Sequence, residues 1–277
     1  MKLRIGHITP LAFAPATADP SATELRFSQR FGRTDHIVLQ AFGNESTTVT
    51  ARVYDALTGV QTYSNACTRV QITADKYLYH CVLNVLPEGF YYVTLSGGGV
   101  TLRSQDFEVT RLVENDAEWA LIEYGGPEND TPMDAAFVVS GVRVPFLLRL
   151  PAGFKPAGWE GAVDTETYRT QRQELRVLYS APYDKYTLTI GTAAGLPVEY
   201  VRLLNNILSC EYVYINGERY CRSEGSVPEK QLVMGGAQMF TASVTLERQP
   251  TLDNYPLEVY QSGDEYNDDY NNDYDII

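Results

Sequence analysis

Hydrophobic and polar residues alternate along short segments in the first half of the chain. These segments cover residues 36–42, 47–54, 77–83, 90–95, 100–102 and 106–109. A period of two residues predicts β-strands, and strands that recur about every ten residues predict a β-sandwich. Residues 86–93 (LPEGFYYV) have the Pro/Gly corner before an aromatic strand that is typical of immunoglobulin-like modules. We therefore predict an Ig-like β-sandwich over residues 35–111.

The pattern of the second half predicts further antiparallel strands. One strand is expected at residues 119–124, and a hairpin across Ser140-Gly141 is expected to join residues 136–139 to residues 142–150. Pro145 lies within the second of these strands and indicates a sheet edge or a bulge, because proline cannot donate a hydrogen bond to a ladder.

The polar stretch at residues 165–176 fits either a helix or a strand. A corner expected at residues 179–182 and a strand expected at residues 186–190 favour a long antiparallel pair.

One helix is predicted, over residues 197–208. Pro197 suits the first helical turn, and the apolar residues after it recur at helical spacing: Val198, Val201, Leu204 and Leu208. Asn216-Gly217 then predicts a two-residue turn in a hairpin over residues 211–222, with paired residue numbers that sum to 433. A last strand is expected at residues 239–246. The chain is thus predicted to be mainly β, with an α+β domain over residues 112–250 in which one helix packs on an antiparallel sheet.

The two ends of the chain differ from the rest in composition. Residues 1–34 are rich in Pro, Ala and Ser, which predicts an extended N-terminal arm. Residues 251–277 form an acidic, low-complexity tail with six acidic residues in the last fourteen positions, a composition that predicts disorder in isolation. We expect the arm and the tail to contact other chains.

Composition and charge exclude several classes of partner. The 277 residues include 20 Tyr and 10 Phe, which suits sheets, and the formal net charge of −13 argues against binding to nucleic acid or to an anionic membrane. No apolar run is long enough to span a bilayer, and His7, Pro10 and Pro15 interrupt any signal-peptide helix. We therefore expect no membrane insertion. Four cysteines are too few for a disulfide framework and are expected to be free thiols.

The sequence offers no motif for catalysis, cofactor binding or metal binding. The chain has three histidines, His7, His36 and His80, and it contains no CxxC, HExxH or GxSxG motif. Gly97-Gly98-Gly99 and Gly235-Gly236 lack the Lys-Ser/Thr of a phosphate loop, and the acidic tail lacks the glycine of a calcium loop. We therefore name no catalytic, cofactor-binding or metal-binding residues and predict that the protein is not an enzyme.

Two segments resemble the tail structural proteins of tailed bacteriophages and prophages. The segment LPEGFYYVTLSGGGVTLRSQDFEV (residues 86–109) resembles their accessory sandwich modules. The segment TLTIGTAAGLPVEYVRLLNNILSCEYVYINGERYCR (residues 187–222) resembles their α+β part, with a strand, a helix and a hairpin in the same order. The resemblance implies a homo-oligomeric ring or tube part, or a distal-tail or baseplate component, without catalytic residues and located in the virion after synthesis in the host cytoplasm.

Two functional hypotheses follow from the sequence. The first is a non-catalytic structural component of a multi-subunit assembly, a phage tail or baseplate, whose partners are copies of itself and other tail proteins. The second is a surface-exposed adhesive module that binds glycans through aromatic side chains, with Trp159, Tyr212 and Tyr214 as candidate residues.

Overall fold

The computed structural model describes residues 2–17, 27–84, 86–114, 116–127, 135–191, 193–234 and 239–249. Within these residues the protein is mainly β, with antiparallel sheets and one α-helix, as the sequence pattern predicts. None of the described helical segments has the length and apolar character that crossing a membrane requires.

Eleven strands lie in the first 110 residues. In chain order they are β1 (Leu3–Ile5), β2 (Phe13–Pro15), β3 (Gln29–Phe31), β4 (Ile37–Gly43), β5 (Thr50–Asp55), β6 (Gln61–Ala66), β7 (Thr68–Thr73), β8 (Lys76–Leu83), β9 (Gly89–Gly97), β10 (Val100–Ser104) and β11 (Phe107–Val109). The predicted strands correspond to β4, β5 and β8–β11. The strands β6 and β7 were not predicted, because both are polar and largely exposed.

These strands form two sheets that pack around one core. The first sheet has the order β1-β4-β8-β7. In the second sheet, β9 is central and pairs with β5 on one edge and with β10 and β11 on the other. Each of these three strands has a further neighbour: β6 pairs with β5, β2 with β10 and β3 with β11. Alternate residues of facing strands fill the space between the sheets, among them Leu39, Val53 and Val93.

The strand β4 is buried on both faces. Ile37, Leu39 and Ala41 face the core between the two sheets, whereas Val38 on the opposite face belongs to the core of the second half of the chain. This explains why every residue of β4 is buried. The first sheet is therefore shared between two cores, and the two halves form a continuous structure.

The described residues of the second half form a short 3₁₀-helix, ten strands and one α-helix. In chain order they are η1 (Leu112–Glu114), β12 (Trp119–Gly125), β13 (Val138–Val139), β14 (Val142–Arg143), β15 (Phe146–Arg169), β16 (Leu175–Ile190), β17 (Leu196–Pro197), α1 (Val198–Ile207), β18 (Tyr212–Ile215), β19 (Glu218–Arg222), β20 (Glu229–Met234) and β21 (Met239–Arg248).

Six of these strands close into an antiparallel barrel. The pairing runs β15-β12-β18-β19-β21-β16 and returns from β16 to β15. Apolar side chains from all sides meet in its core, including Ile122, Leu148 and Val244. The helix α1 packs Tyr200, Leu204 and Ile207 against the same core. The sequence predicted an antiparallel sheet with one helix, and the closure of that sheet into a barrel is an addition from the structure.

Local turn and helix signals are confirmed by the structure. Asn216 and Gly217 have φ values of 52° and 83° and join β18 to β19. Tyr214 pairs with Arg219, which is the predicted register. The helix begins one residue after Pro197, close to its predicted start.

The corner predicted at residues 179–182 is wrong. These residues lie within β16, and the chain turns at residues 170–174 instead. The strand tolerates Pro182 because only one edge of β16 is paired at that point.

The N-terminal arm is extended, but its described residues pair with the body of the same chain. β1 pairs with β4, β2 with β10 and β3 with β11. Ile8 and Leu11 are buried in the two main cores. The acidic tail predicted at residues 251–277 lies outside the described residues.

Candidate functional site

The most prominent candidate surface is a two-stranded extension of the barrel. β15 pairs with the barrel strand β12 only up to Pro151, and β16 pairs with β21 only from Asp184 onward. Between these limits the two strands pair only with each other. We call residues 159–183 the ribbon; its strands, residues 159–169 and 175–183, are about 36 Å and about 30 Å long at about 3.3 Å per residue. It ends in a turn in which Gln173, at a φ of 64°, donates its backbone N–H to Thr170 O.

One face of the ribbon, which we call its apolar face, carries large exposed apolar side chains interspersed with polar ones such as Thr165 and Ser180. The register places four large side chains on this face together with Pro182: Trp159, Val163, Leu175 and Val177. Their exposed fractions range from 54% to 61%. A bulge opposite Glu166 and Thr167 leaves Leu178 without a cross-strand partner in this register, and its side chain is 62% exposed. Solvent exposure of this many apolar side chains on one surface indicates an interaction site.

The apolar face continues the inner face of the barrel. Tyr186, next to the ribbon, pairs with the fully buried Leu246 and contacts the rings of Phe154 and Tyr220. Side chains on alternate residues of β16 share a face, so Pro182 lies on the same side as Tyr186. The apolar face of the ribbon therefore continues the inward-facing side of the barrel strands, but it extends beyond the part of the barrel that would cover it.

The opposite face of the ribbon is polar and aromatic. Next to the barrel it carries Glu160, Asp164 and Glu166, and its exposed rings include Tyr168 and Tyr179. Toward the turn, Arg176 lies on this face and is 3.9 Å from the Glu174 carboxylate, Arg172 lies in the turn, and Arg169 lies on the apolar face opposite Leu175. The ribbon thus has an acidic stem and a basic tip.

Both outer edges of the ribbon lack a strand partner within the described residues. Residues 159–169 and 175–183 present backbone N–H and C=O groups along these edges. A long edge with apolar side chains is a template for pairing with another chain. Shorter edges without a partner in the described part of the protein occur at β6, β7 and β20.

A buried charged cluster joins the two halves of the protein. Arg149 donates from Nε to Asp35 Oδ2 over 2.6 Å and from Nη2 to Asp35 Oδ1 over 2.9 Å, and both side chains are less than a tenth exposed. His36 donates from Nε2 to Pro145 O over 2.7 Å. Burial raises the pKa of the nearby Glu123 carboxyl, with His36 acting in the opposite direction.

The contacts of this cluster indicate a structural role. The Asp35 carboxylate is occupied by Arg149 and by the backbone N–H of Gly32, at 2.6 Å. The two described cavities, of about 520 Å³ and 330 Å³, are lined by other residues. Because the carboxylate is fully paired within the protein, we assign the cluster to the joint between the two halves.

The histidines occupy three separate environments. His7 is exposed and contacts Arg4 at 3.0 Å, while His80 is buried and contacts Gln40. His36 lies in the charged cluster described above. Across the described ranges, no group of three or more His, Cys, Asp or Glu residues is arranged to hold a metal ion.

The aromatic residues of the adhesive hypothesis do not form one surface. Trp159 is 54% exposed on the ribbon, and its Nε1 donates to Asp184 Oδ1 over 3.1 Å. Tyr214 is only 6% exposed, so the expectation that it is a surface residue is wrong. Tyr212 is partly exposed and lies beneath the guanidinium groups of Arg143 and Arg219. The strand β12 separates β18, which carries both tyrosines, from β15.

Only part of the ribbon could be predicted from the sequence. The sequence predicted a long antiparallel pair but not its projection from the barrel, because projection depends on where the neighbouring strands end. Comparisons of the chain with protein-family models, with curated proteins and with solved structures found no match.

Proposed function

We propose that the protein is a non-catalytic structural subunit of a multi-subunit assembly, and specifically a tail or baseplate component of a tailed phage or prophage. In this proposal it is made in the host cytoplasm and becomes part of the virion, where it contacts copies of itself and other tail proteins. The ribbon is the observation that carries the assembly proposal. The tail assignment rests on the sequence resemblance of residues 86–109 and 187–222.

The partner that we propose for the ribbon is a second copy of the chain. The basic tip, with Arg169, Arg172 and Arg176, is complementary in charge to the acidic stem of another copy. Apolar side chains such as Val163 and Val177 would then lose their contact with water. Steering by charge and burial of the apolar face both favour self-association.

The proposal also covers the first two sheets and the ends of the chain. We interpret the two packed sheets as an Ig-like sandwich, with the corner at residues 86–89 before the aromatic strand β9. The described residues of the arm already pair within the chain, so we propose that the ribbon makes the contacts with other chains that were first expected of the arm. Interchain contact by the acidic tail stays a prediction.

The test compares two double variants of the ribbon. The variant Val163→Lys/Val177→Lys places charges on the apolar face, and the matched control Tyr168→Lys/Tyr179→Lys places the same charges on the opposite face of the same strands. Because Val163 and Val177 are about 60% exposed, their replacement should leave the fold intact. Molar mass is measured by light scattering at increasing protein concentration.

The proposal expects wild type and control to form species above the monomer mass of 31.0 kDa. The apolar-face variant should remain at the monomer mass. Electron micrographs of the wild type should show rings, tubes or other regular particles. A wild-type protein that stays monomeric at every concentration would contradict the proposal, as would equal effects of the two variants.

An adhesive module is the second candidate, supported by the exposed ring of Trp159. Aromatic faces of this kind can stack on sugar rings, and the neighbouring Asp184 carboxylate could accept hydrogen bonds from hydroxyl groups. The discriminating measurement is binding of soluble oligosaccharides to wild type and to Trp159→Ala. Saturable binding that this substitution removes would favour the adhesive module, and its absence would leave the assembly proposal.

A further inference from the structure

Two cysteines face each other where the chain passes from one sheet of the sandwich to the other. Cys67 is the single residue between β6 in the second sheet and β7 in the first. Cys81 lies in β8, faces the core between the sheets and is 3% exposed. Thr68 pairs with His80 at the end of the β7–β8 register, so Cys67, which precedes Thr68, lies beside Cys81, which follows His80.

This position satisfies the geometric requirement for a disulfide. Directly opposed residues of antiparallel strands have Cα atoms about 4.5–5.5 Å apart, which lies within the range of about 4.4–6.8 Å that disulfides span. The two thiols are in hydrogen-bonding contact, and both side chains pack in the same apolar cluster. The hydrogen bond from Cys67 lowers the pKa of the Cys81 thiol, whereas burial acts in the opposite direction.

We propose that Cys67 and Cys81 are a redox-sensitive pair that forms a cross-strand disulfide when the protein meets a small-molecule disulfide. The two thiols lose two electrons and two protons, an S–S bond forms between their sulfur atoms, and the oxidant is reduced to two small thiols. The reaction requires no large movement, because the pair is already in contact. It closes a loop over β7 and the start of β8 and fixes the crossover between the sheets.

The other two cysteines serve as internal controls. Cys221 is exposed on β19 and lies opposite Glu247. Cys210 follows α1, and burial raises the pKa of its thiol to about 12. The observed hairpin register puts Cys221 opposite residue 212, not residue 210. Cys210 and Cys221 are thus not directly opposed, so the same oxidant should not join them.

The experiment treats the folded full-length protein with oxidised glutathione, alkylates the remaining thiols and maps the peptides without reduction. The variants are Cys67→Ser, which changes the more accessible member of the pair, and Cys210→Ser/Cys221→Ser, which keeps the pair. Thermal unfolding of each protein is recorded before and after oxidation. This test does not depend on the assembly function.

We expect a linked peptide pair containing Cys67 and Cys81 in wild type and in Cys210→Ser/Cys221→Ser. Oxidation should raise the melting temperature of both proteins by about 5 °C, because the closed loop restricts the unfolded chain. Cys67→Ser should show neither the link nor the rise. Alkylation of both Cys67 and Cys81 after oxidation, or a link that includes Cys210 or Cys221 instead, would overturn the proposal.

Discussion

At the scale of single residues, buried polar side chains mark the contact between the two halves of the protein. Gln40 lies on the outer face of the first sheet and bonds both backbone groups of Ala136 through its side-chain amide. The same amide nitrogen donates to His80 Nδ1 over 3.1 Å. The Gln40 side chain thus bonds the backbone of Ala136 as a neighbouring strand would. Its hydrogen bond to His80 requires a neutral imidazole ring, because Nδ1 must accept.

The first prediction concerns the pH dependence of stability. Burial lowers the pKa of His80 to about 4, whereas an unfolded histidine has a pKa of about 6.5. Between these values the unfolded chain binds the proton more strongly, so stability is complete above about pH 6.5 and falls as the pH decreases toward 4. Between pH 8 and pH 5, His80 is expected to lower the free energy of unfolding by about 2 kcal/mol.

Urea unfolding of wild type and His80→Gln at these two pH values checks this expectation. Glutamine does not titrate but can still accept a hydrogen bond from Gln40, so the variant should lose less stability than wild type on acidification. The same loss in both proteins would show that His80 is not responsible.

At the scale of elements, the turn between β18 and β19 also connects two strands of the barrel. Asn216 accepts a hydrogen bond at Oδ1 from Leu121 N over 2.9 Å, and its own N–H donates to Leu121 O over 2.9 Å. Its φ of 52° is one that few residues other than Asn and Gly adopt readily. The residue therefore combines the turn conformation with a side-chain bond to β12.

Two substitutions separate these contributions. Asn216→Gly keeps the turn conformation but loses the side-chain hydrogen bond, which should lower the free energy of unfolding by about 1 kcal/mol. Asn216→Ala loses the same hydrogen bond and adds backbone strain, which should lower the free energy of unfolding by about 2 kcal/mol. Chemical denaturation measures both values. Equal stability of the two variants would mean that the φ value of Asn216 carries no cost.

Elements that depend on local chemistry could be predicted from the sequence, whereas those that depend on distant partners could not. Asn216-Gly217 specified its hairpin, and the spacing from Val198 to Leu208 specified the helix. The strands β6 and β7 are mostly polar and exposed, with Val70 and Ile72 as the apolar aliphatic residues of β7, because both strands lie at the outer edges of the two sheets. Closure of the barrel, which joins β16 to β21 across some sixty residues, has no local signal.

At the scale of the whole molecule, most strand edges are satisfied within the chain. The barrel closes on itself, β4 is shared by two cores, and Arg149 and Asp35 join the two halves. The ribbon is the large exception in the described part of the protein. This contrast places the proposed contact between copies on one defined element.

The most direct test of this claim is hydrogen–deuterium exchange of the ribbon at low and high protein concentration. If copies pair through the ribbon, the amides of residues 159–169 and 175–183 should exchange more slowly in the associated protein, while the barrel core keeps its protection. The variant Val163→Lys/Val177→Lys should not show this slowing. Association of wild type with unchanged exchange in the ribbon would contradict the account.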